Sequence, residues 1–399
     1  MTGALAADAS AVRELLARRT EAGERFFGAE AERIARLCHG MAERFARGGR
    51  LLALGVSDQA SSDARHVAVE FVHPVIVGKR ALPALALVGE RGSVERQVEL
   101  LAQADDVVMA FGPETAAALG GARARGCLTL ACEPLGAEWE LGSPAEDPFV
   151  QQELAETLYH LLWELCHVFF DHRGLLQGRE VRAVHDTGAS SFLYPFLGEA
   201  EHDLEAVVAD VRESVVMKAQ EVGELREQTL TEAEEALPLA ARTVRERLER
   251  GGQVLALGNG GSATDAMDAV ADLRSPPHGW PARAALDLTA DPAILTAIAN
   301  DVGVEPIFQR QVIAYGRAED ALLSFSTSGN SANVIAALAE ARGRGLLTVA
   351  FVGYDGGRVA AERLADHVLV TRSEHIPRIQ EAQASAWHVL RELIELARR

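Results

Sequence analysis

Two stretches of this 399-residue chain can be laid over one another, and this internal repeat limits the possible fold more than any other feature. The first stretch, RFARGGRLLALGVSDQASSDARHVAVEF, begins at Arg44, and the second, RLERGGQVLALGNGGSATDAMDAVADL, begins at Arg247. Each passes from a helical pattern through Gly-Gly into a short apolar run, then through a loop into another helix. Each stretch therefore predicts a strand that turns directly into a helix, and the chain predicts two copies of one domain.

Short apolar runs recur in both halves, separated by helical sequence, as is typical of a parallel sheet covered by helices. In the second half they are QVLALG, ARAALDL, DALLSFS, LLTVAFV and DHVLVT. In the first half RLLALG, PALALV, DVVMAF and CLTLACE match four of them, and no fifth strand is evident. The turn-rich segment HDTGASSFLYPFLGEAEHD places the boundary near residue 195, giving domains at 1–195 and 196–399. We expect an α/β protein with two flavodoxin-like domains, each a five-stranded parallel sheet flanked by helices.

The charge and composition of the chain exclude several classes of function. With 58 acidic and 39 basic residues, a net charge of −19, the chain repels polyanions, so we expect no nucleic acid and no membrane surface as a partner. No apolar run approaches the roughly 18 residues that span a bilayer. The four cysteines form neither a CxxC pair nor a disulfide-like framework, and the N-terminus lacks a secretory pattern, so we expect a cytoplasmic protein.

Two loops in the second half have the composition of an anion-binding site. The GNGGS loop, residues 258–262, follows a predicted strand and opens a helix, so its glycines let backbone N–H groups approach an anion at the positive end of that helix. The STSGNS loop, residues 326–331, follows another strand and carries four hydroxyls. A helix cap needs one hydroxyl, whereas a phosphate monoester needs several donors, so this loop predicts a phosphate site.

Five ordered motifs of the second half resemble those of bacterial phosphoheptose isomerases: GNGGS, AND at Ala299, STSGNSANVI, GYDGG at Gly353 and RIQE at Arg378. The resemblance covers nearly all of residues 205–399. It implies sugar-isomerase (SIS) domains and conversion of a ketose phosphate, sedoheptulose 7-phosphate or a related sugar phosphate, to an aldose phosphate. It also implies that the STSGNS loop holds the phosphate while the GNGGS and AND segments contact the sugar. The substrate-binding residues implied are Asn259, Gly260, Gly261, Ser262, Asn300, Asp301, Ser326, Thr327, Ser328, Ser331 and Gln380.

The resemblance extends to a zinc site, which in the family has a His-x-x-x-Glu pair on the helix after GNGGS, the glutamine of RIQE and a histidine eight positions later. The first half keeps all four residue types, as His66, Glu70, Gln152 and His160. Helical spacing makes the members of each pair face one way. In the second half the corresponding residues are Asp268, Asp272, Gln380 and His388. The resemblance therefore implies zinc or another divalent metal on the first set, with the second set as the alternative.

Each half lacks what the other keeps. After DVVMAF the first half reads Gly112-Pro113-Glu114-Thr115, which has no hydroxyl cluster and adds a carboxylate that repels phosphate. We therefore expect one composite active site that combines the STSGNS loop with the helix carrying His66 and Glu70, from the same chain or from a partner chain. We also expect a homo-oligomer, a dimer of tandem chains that mimics a four-domain assembly.

The proposed reaction assigns roles to the candidate residues. Moving a carbonyl from C2 to C1 requires a base that removes a proton, an acid near the carbonyl oxygen and stabilisation of an enediol-like intermediate. By resemblance Glu70 is the expected base, and His160 or His388 is the expected acid. Another class of function stays open, because SIS domains also serve as non-catalytic phosphosugar-binding regulators and assembly proteins. Metal content together with an isomerase assay distinguishes the two classes.

Overall fold

A computed structural model describes residues 2–75, 79–171 and 203–396 of the chain. Its contacts divide the chain into two compact units: an N-terminal unit of residues 22–220, and a C-terminal unit that combines residues 1–21 with 221–399. The predicted boundary near residue 195 lies outside the described residues. Within the described ranges, no helix is both long enough and apolar enough to cross a bilayer.

The N-terminal unit alternates strands with helices, as its apolar runs predict. Its elements are α1 (Thr2–Ala46), β1 (Leu51–Gly55), α2 (Asp58–Val72), β2 (Ala84–Val88), α3 (Arg91–Leu101), β3 (Val107–Ala110), a 3-10 turn (Pro113–Thr115), α4 (Ala116–Ala124), β4 (Leu128–Ala131), β5 (Trp139–Glu140) and α5 (Pro148–Asp171). The strands pair in the order β2-β1-β3-β4-β5, all in parallel. Every residue of β1, β3 and β4 is buried, because helices cover both faces of a parallel sheet.

The C-terminal unit repeats this arrangement of alternating strands and helices. Its elements are α6 (Leu204–Glu232), α7 (Ala236–Glu249), β6 (Val254–Leu257), α8 (Gly261–Arg274), β7 (Ala285–Asp287), α9 (Pro292–Asp301), α10 (Ile307–Tyr315), β8 (Ala321–Ser326), α11 (Ala332–Gly343), β9 (Leu347–Gly353), α12 (Gly357–Ala361), β10 (His367–Thr371) and α13 (Ile376–Leu396). The strands pair in the order β10-β9-β8-β6-β7, again in parallel. The expected α/β fold, with a five-stranded parallel sheet in each half, is therefore confirmed.

The strand order places the two glycine-containing loops side by side. From β6 the chain passes to β7 on one side of the sheet, then crosses to β8 on the other side of β6. The loops that follow β6 and β8 thus leave the same edge of the sheet in opposite directions. Ligands of open α/β sheets bind in the crevice at such a switch point. In the N-terminal unit β1 and β3 have the same relationship.

Two long helices contribute to both units. In α1, Val12 and Leu15 are buried in the core of the C-terminal unit, while the second half of the helix packs in the N-terminal unit. Helix α6 does the reverse, since Val211 belongs to the core of the N-terminal unit. Within the C-terminal unit, Arg19 of α1 forms a buried ion pair with Glu392 of α13 (Nη2 to Oε1, 2.8 Å). Val12, Leu15 and Arg19 are therefore part of the C-terminal unit's interior.

Candidate anion-binding and metal-binding sites

The GNGGS loop forms the turn from β6 into α8. A β-carbon at Gly258 would lie 2.0 Å from the carbonyl oxygen of Ser262, so glycine is required for the strand end to approach the first turn of α8 this closely. Ser262 is buried, whereas Asn259 and Gly260 are exposed. The turn therefore presents Asn259 and backbone amides at the switch point of the sheet.

The STSGNS loop gathers hydroxyls at the start of α11. The buried hydroxyl of Ser326 accepts a hydrogen bond from the N–H of Gly329 (3.1 Å) and lies 3.4 Å from the Oγ of Ser331. The Oγ of Ser328 accepts a hydrogen bond from the N–H of Asn330 (3.2 Å). Ser331 is the N-cap residue of α11, yet its side chain makes no capping hydrogen bond. Hydroxyls and first-turn N–H groups at the positive end of a helix suit a phosphate.

The GYDGG segment and the first turn of α12 pack against the STSGNS loop. The N–H of Val359 donates to the carbonyl oxygen of Gly329 (3.1 Å), and the N–H of Arg358 donates to Oδ1 of Asn330 (2.9 Å). Gly329 has a φ of 61°, and a β-carbon there would lie 2.2 Å from the carbonyl oxygen of Gly356. The conformation of the STSGNS loop is therefore constrained by these contacts with the segment that follows β9.

A reciprocal pair of side-chain hydrogen bonds joins the GNGGS loop to α11. Nδ2 of Asn259 donates to Oδ1 of Asn333 (3.0 Å), and Nδ2 of Asn333 donates to Oδ1 of Asn259 (2.8 Å). Asn333 is buried in the first turn of α11, two residues beyond the STSGNS loop. The two candidate ligand-binding loops are thus linked through their side chains.

The remaining implied substrate-binding residues lie at two different places. Asn300 and Asp301 end α9, both are exposed, and Nδ2 of Asn300 donates to Oδ1 of Asp301 (2.8 Å). Within the described part of the chain, no hydrogen bond joins either residue to the two loops. Gln380 is buried in α13, and its neighbour Ile379 packs against Gly353 at the end of β9, beside the STSGNS loop. The structure therefore brings the helix of Gln380 close to the loop, but leaves the AND segment at the surface.

The alternative metal set of the C-terminal unit is organised around Asp272. Its Oδ2 accepts a hydrogen bond from the indole Nε1 of Trp387 (2.8 Å) and lies 3.4 Å from Nε2 of His388, and all three side chains are buried. Asp268 is buried one turn earlier on α8. Among the described residues, these side chains belong to no group of three or more His, Cys, Asp or Glu with ligand atoms within 4.8 Å of one another.

In the N-terminal unit, a carboxylate of the chain binds the loop that follows β3. The N–H of Gly112 donates to Oε1 of Glu133, a residue that follows β4 (2.8 Å). Glu114 also turns toward this loop, since its Oε2 would lie 3.0 Å from a β-carbon at Gly112. Two carboxylates beside the loop repel a phosphate. The candidate phosphate site therefore belongs to the C-terminal unit.

Helices α2 and α5 bring candidate metal ligands together inside the N-terminal unit. His66, Glu156 and His160 are buried, and their ligand atoms all lie within 4.8 Å of one another. The Nε2 atoms of His66 and His160 are 3.4 Å apart. Two nitrogens bound to a tetrahedral zinc ion at its usual bond length are about 3.3 Å apart, so the pair fits such an ion.

The ring state of His66 also suits a metal ligand. Burial and the neighbouring His160 hold the pKa of His66 well below its ordinary value of 6.5, which keeps the ring neutral at neutral pH. The hydroxyl of Tyr159 lies 2.8 Å from Nδ1 of His66. When this hydroxyl accepts a hydrogen bond from Nδ1–H, the Nε2 lone pair of His66 faces His160, as metal binding requires.

The two other implied ligands of the N-terminal unit stand around this centre. Glu70 is buried, with Oε1 4.0 Å from Nε2 of His66. Gln152 is half-buried on α5, two helical turns before His160. Glu156 lies between them on the same helix face, so the 4 + 4 spacing from Gln152 to His160 could have identified it from the sequence. No sequence signal predicts the contact between Glu133 and Gly112, or that Tyr159 would meet His66.

Comparisons with known proteins identify the family of the C-terminal half of the chain. A family model described as the SIS domain matches residues 219–353. The chain is 45% identical over 172 residues to the phosphoheptose isomerase of Roseiflexus sp. (strain RS-1), which covers 41% of this chain and 83% of that protein. It is 40% identical over 176 residues to the phosphoheptose isomerase of Helicobacter pylori (strain P12), covering 43% of this chain and 89% of that protein.

Solved structures extend the likeness of fold to nearly the whole chain. The C-terminal domain of glucosamine-fructose-6-phosphate aminotransferase from Francisella tularensis aligns with a TM-score of 0.58 and 10% identity, over 97% of this chain and 95% of that one. A putative tagatose-6-phosphate ketose/aldose isomerase from Clostridium novyi NT aligns with a TM-score of 0.57 and 11% identity, over 97% of this chain and 89% of that one. At such identities the likeness concerns the fold alone.

Proposed function

Because the chain belongs to the family of SIS-domain proteins that includes the bacterial phosphoheptose isomerases, we propose that it is a phosphosugar isomerase that interconverts a ketose phosphate and an aldose phosphate. We propose sedoheptulose 7-phosphate, or a sugar phosphate closely related to it, as the substrate. The observation that carries the proposal is the STSGNS loop, which holds its hydroxyls at the start of α11 beside the GNGGS loop. Both loops stand at the switch point of the C-terminal sheet.

The substrate end that the loop would bind is the phosphate. Ser326, Thr327, Ser328 and Ser331 offer hydroxyls, and the first turn of α11 offers N–H groups and a positive dipole end. Asn259 and Gly260, exposed on the neighbouring loop, would contact the sugar. One loop suited to the phosphate and a neighbouring loop suited to the sugar support a phosphosugar, rather than a free sugar, as the ligand.

We propose that the N-terminal unit holds zinc or a similar divalent ion through His66, Glu156 and His160, with Glu70 and Gln152 as further candidates. A bound divalent ion supplies a Lewis acid that polarises an oxygen. Glu70 remains the proposed base, because its carboxylate is buried on α2 beside His66. His160 of the same unit, or His388 of the C-terminal unit, remains the proposed acid.

The experiment measures isomerisation of sedoheptulose 7-phosphate by the full-length protein, with the aldose product detected by NMR. Two matched variants, Glu70→Gln and Asp272→Asn, remove one buried carboxylate each, at equivalent positions of the two repeats. We expect Glu70→Gln to lower kcat by at least about 100-fold, as for a lost general base, and Asp272→Asn to lower it much less. The reverse result would transfer the base to the C-terminal unit, and an inactive wild-type protein would contradict the proposed reaction.

A second candidate function is favoured by one observation. In the C-terminal unit, which carries the phosphate-type loop, Asp272 is engaged by Trp387 and His388, and no three-ligand metal group surrounds it among the described residues. A unit of this kind suits a non-catalytic phosphosugar-binding regulator or assembly protein. Calorimetric binding of sedoheptulose 7-phosphate without turnover, in protein loaded with zinc, would establish this alternative.

A further inference from the structure

We propose that Asn333 is a positioning residue, which holds Asn259 and thereby the whole GNGGS loop at a fixed distance from the STSGNS loop. The two side-chain amides face each other and exchange two hydrogen bonds, of 3.0 and 2.8 Å. An amide carries a donor and an acceptor on one planar group, so two amides can pair reciprocally. Alanine, serine or aspartate at either position would lose at least one of the two bonds.

The pair is asymmetric, and this asymmetry says which residue positions the other. Asn333 is buried in the first turn of α11, and its Oδ1 also accepts a hydrogen bond from the N–H of Val334 (3.0 Å). Asn259 is exposed and lies in a loop. Rotation of the Asn333 side chain would break three hydrogen bonds, two with Asn259 and one with the N–H of Val334. The side chain of Asn259 is held by the two bonds with Asn333. Asn333 therefore fixes Asn259.

The composition of the chain supports a specific requirement for asparagine here. Asparagine occurs only four times in 399 residues, at positions 259, 300, 330 and 333. The side chains of Asn259, Asn330 and Asn333 all bridge one ligand-loop segment to another, since Asn330 accepts from the N–H of Arg358. Three of the four asparagines therefore lie at this edge of the C-terminal sheet, and the sequence of the N-terminal unit contains none.

The consequence for the reaction rests on the proposed function. A sugar phosphate held at its phosphate end by the STSGNS loop presents its carbonyl end at a distance set by its own bonds. If Asn259 contacts that end, the spacing of the two loops decides how well the reacting atoms are placed. A misplacement of 1 Å can lower the rate about 100-fold. Loss of the pair should therefore lower turnover rather than affinity for phosphate.

The test compares Asn333→Ala, Asn259→Ala, their double variant and Asn330→Ala as a matched control. Hydrogen–deuterium exchange, which needs no ligand, is followed in residues 258–264. We expect Asn333→Ala to raise exchange there by about tenfold, as for loss of a coupled contact, and Asn330→Ala to raise it only in residues 326–331 and 356–359. Asn259→Ala should act like Asn333→Ala.

Kinetics with sedoheptulose 7-phosphate separate positioning from a general structural role. We expect kcat to fall at least about tenfold in Asn333→Ala while the inhibition constant of inorganic phosphate changes less than about threefold. The double variant should be no worse than the worse single variant, because Asn333 acts through Asn259.

Unchanged exchange in residues 258–264 of Asn333→Ala, or losses that multiply in the double variant, would overturn the proposal. A wild-type protein without isomerase activity would remove the proposed function, but the exchange measurement would still decide whether Asn333 fixes the loop. The two failures are therefore distinguishable.

Discussion

The Nε2 atoms of His66 and His160 lie 3.4 Å apart in the buried interior of the N-terminal unit, although the residues are 94 positions apart in the sequence. Burial, together with the neighbouring His160, lowers the pKa of His66 and so favours its neutral ring. Two imidazole nitrogens beside the carboxylate of Glu156 form a donor set that zinc prefers.

We expect the purified protein to contain about one zinc ion per chain, the stoichiometry of a single site of this kind. His66→Ala and His160→Ala should remove the metal, and Glu156→Gln should weaken binding by at least about tenfold, since ligand loss costs more than loss of an outer contact. Mass spectrometric metal analysis and zinc titration measure both effects. Asp268→Asn is the control and should retain the metal. Zinc that is retained by the histidine variants but lost from the control would refute the assignment.

Phosphate binding should depend on the C-terminal unit. The double variant Ser328→Ala, Ser331→Ala removes two hydroxyl donors, each worth about 1.5 kcal/mol or more toward a charged group, so phosphosugar affinity should fall at least about 100-fold. Thr115→Val, on the corresponding loop of the N-terminal unit, should change affinity little, because Thr115 bonds to the carbonyl oxygen of Gly112 instead. Isothermal calorimetry with sedoheptulose 7-phosphate compares them. Equal losses in both proteins would contradict the assignment.

Gly329→Ala should disturb the STSGNS loop through its backbone. The added β-carbon meets the carbonyl oxygen of Gly356 at 2.2 Å, and the φ of 61° disfavours any L side chain, so we expect a loss of about 1–3 kcal/mol of folding free energy and weaker phosphosugar binding. Gly343→Ala, at the end of α11, meets nothing within 4 Å and should leave stability unchanged or raise it by up to about 1 kcal/mol. Urea unfolding measures the difference. A Gly329→Ala protein as stable as Gly343→Ala would show that the loops can separate without cost.

Stability should fall as pH drops from about 6.5 to about 4, in part because of His167. Burial next to Lys79 lowers the pKa of His167 to about 4, outweighing its contacts with the carbonyl oxygens of Trp163 (2.8 Å) and Arg80 (3.0 Å). Between these pH values the unfolded chain binds the proton and the folded chain does not, so the free energy of unfolding rises with pH by up to about 1.4 kcal/mol per unit.

Chemical denaturation of the wild-type protein and of His167→Gln, from pH 4.5 to 8, isolates this contribution. The wild-type curve should be the steeper one below pH 6.5, because His66, whose pKa is also lowered, contributes equally to both proteins. Parallel curves would mean that His167 does not titrate on unfolding.

The strands were predictable from the sequence because a parallel sheet covered on both faces needs continuous apolar runs, and LLALG and ALLSFS are buried at every position. The fifth strand of the N-terminal sheet was not, because Trp139 and Glu140 form a two-residue edge strand that is only half-buried. Ser331 and the rest of its loop were also predictable, because the loop directly follows an apolar run and directly precedes a helical pattern.

The parts of the candidate site that the sequence did not predict depend on contacts between segments that are distant along the chain. The helical spacing of Gln152, Glu156 and His160 can be read from the sequence. The proximity of Glu156 to His66 cannot, because it depends on how α2 and α5 pack. The bond from Gly112 to Glu133 joins loops after two different strands, and its formation depends on the paths of both loops. The roles of Asn300 and Asp301 rest on the resemblance, and the structure leaves both exposed at the end of α9.

The division of α1 between the two units bears on the order of folding during synthesis. Val12 and Leu15 are made long before the segment 221–399 whose core they enter, and Arg19 is made long before Glu392, its buried partner. During translation these apolar side chains therefore remain without their native partners while the N-terminal unit forms around the second half of the same helix. The C-terminal unit therefore reaches its final packing only after α13 has been made, long after the first segment of its own core.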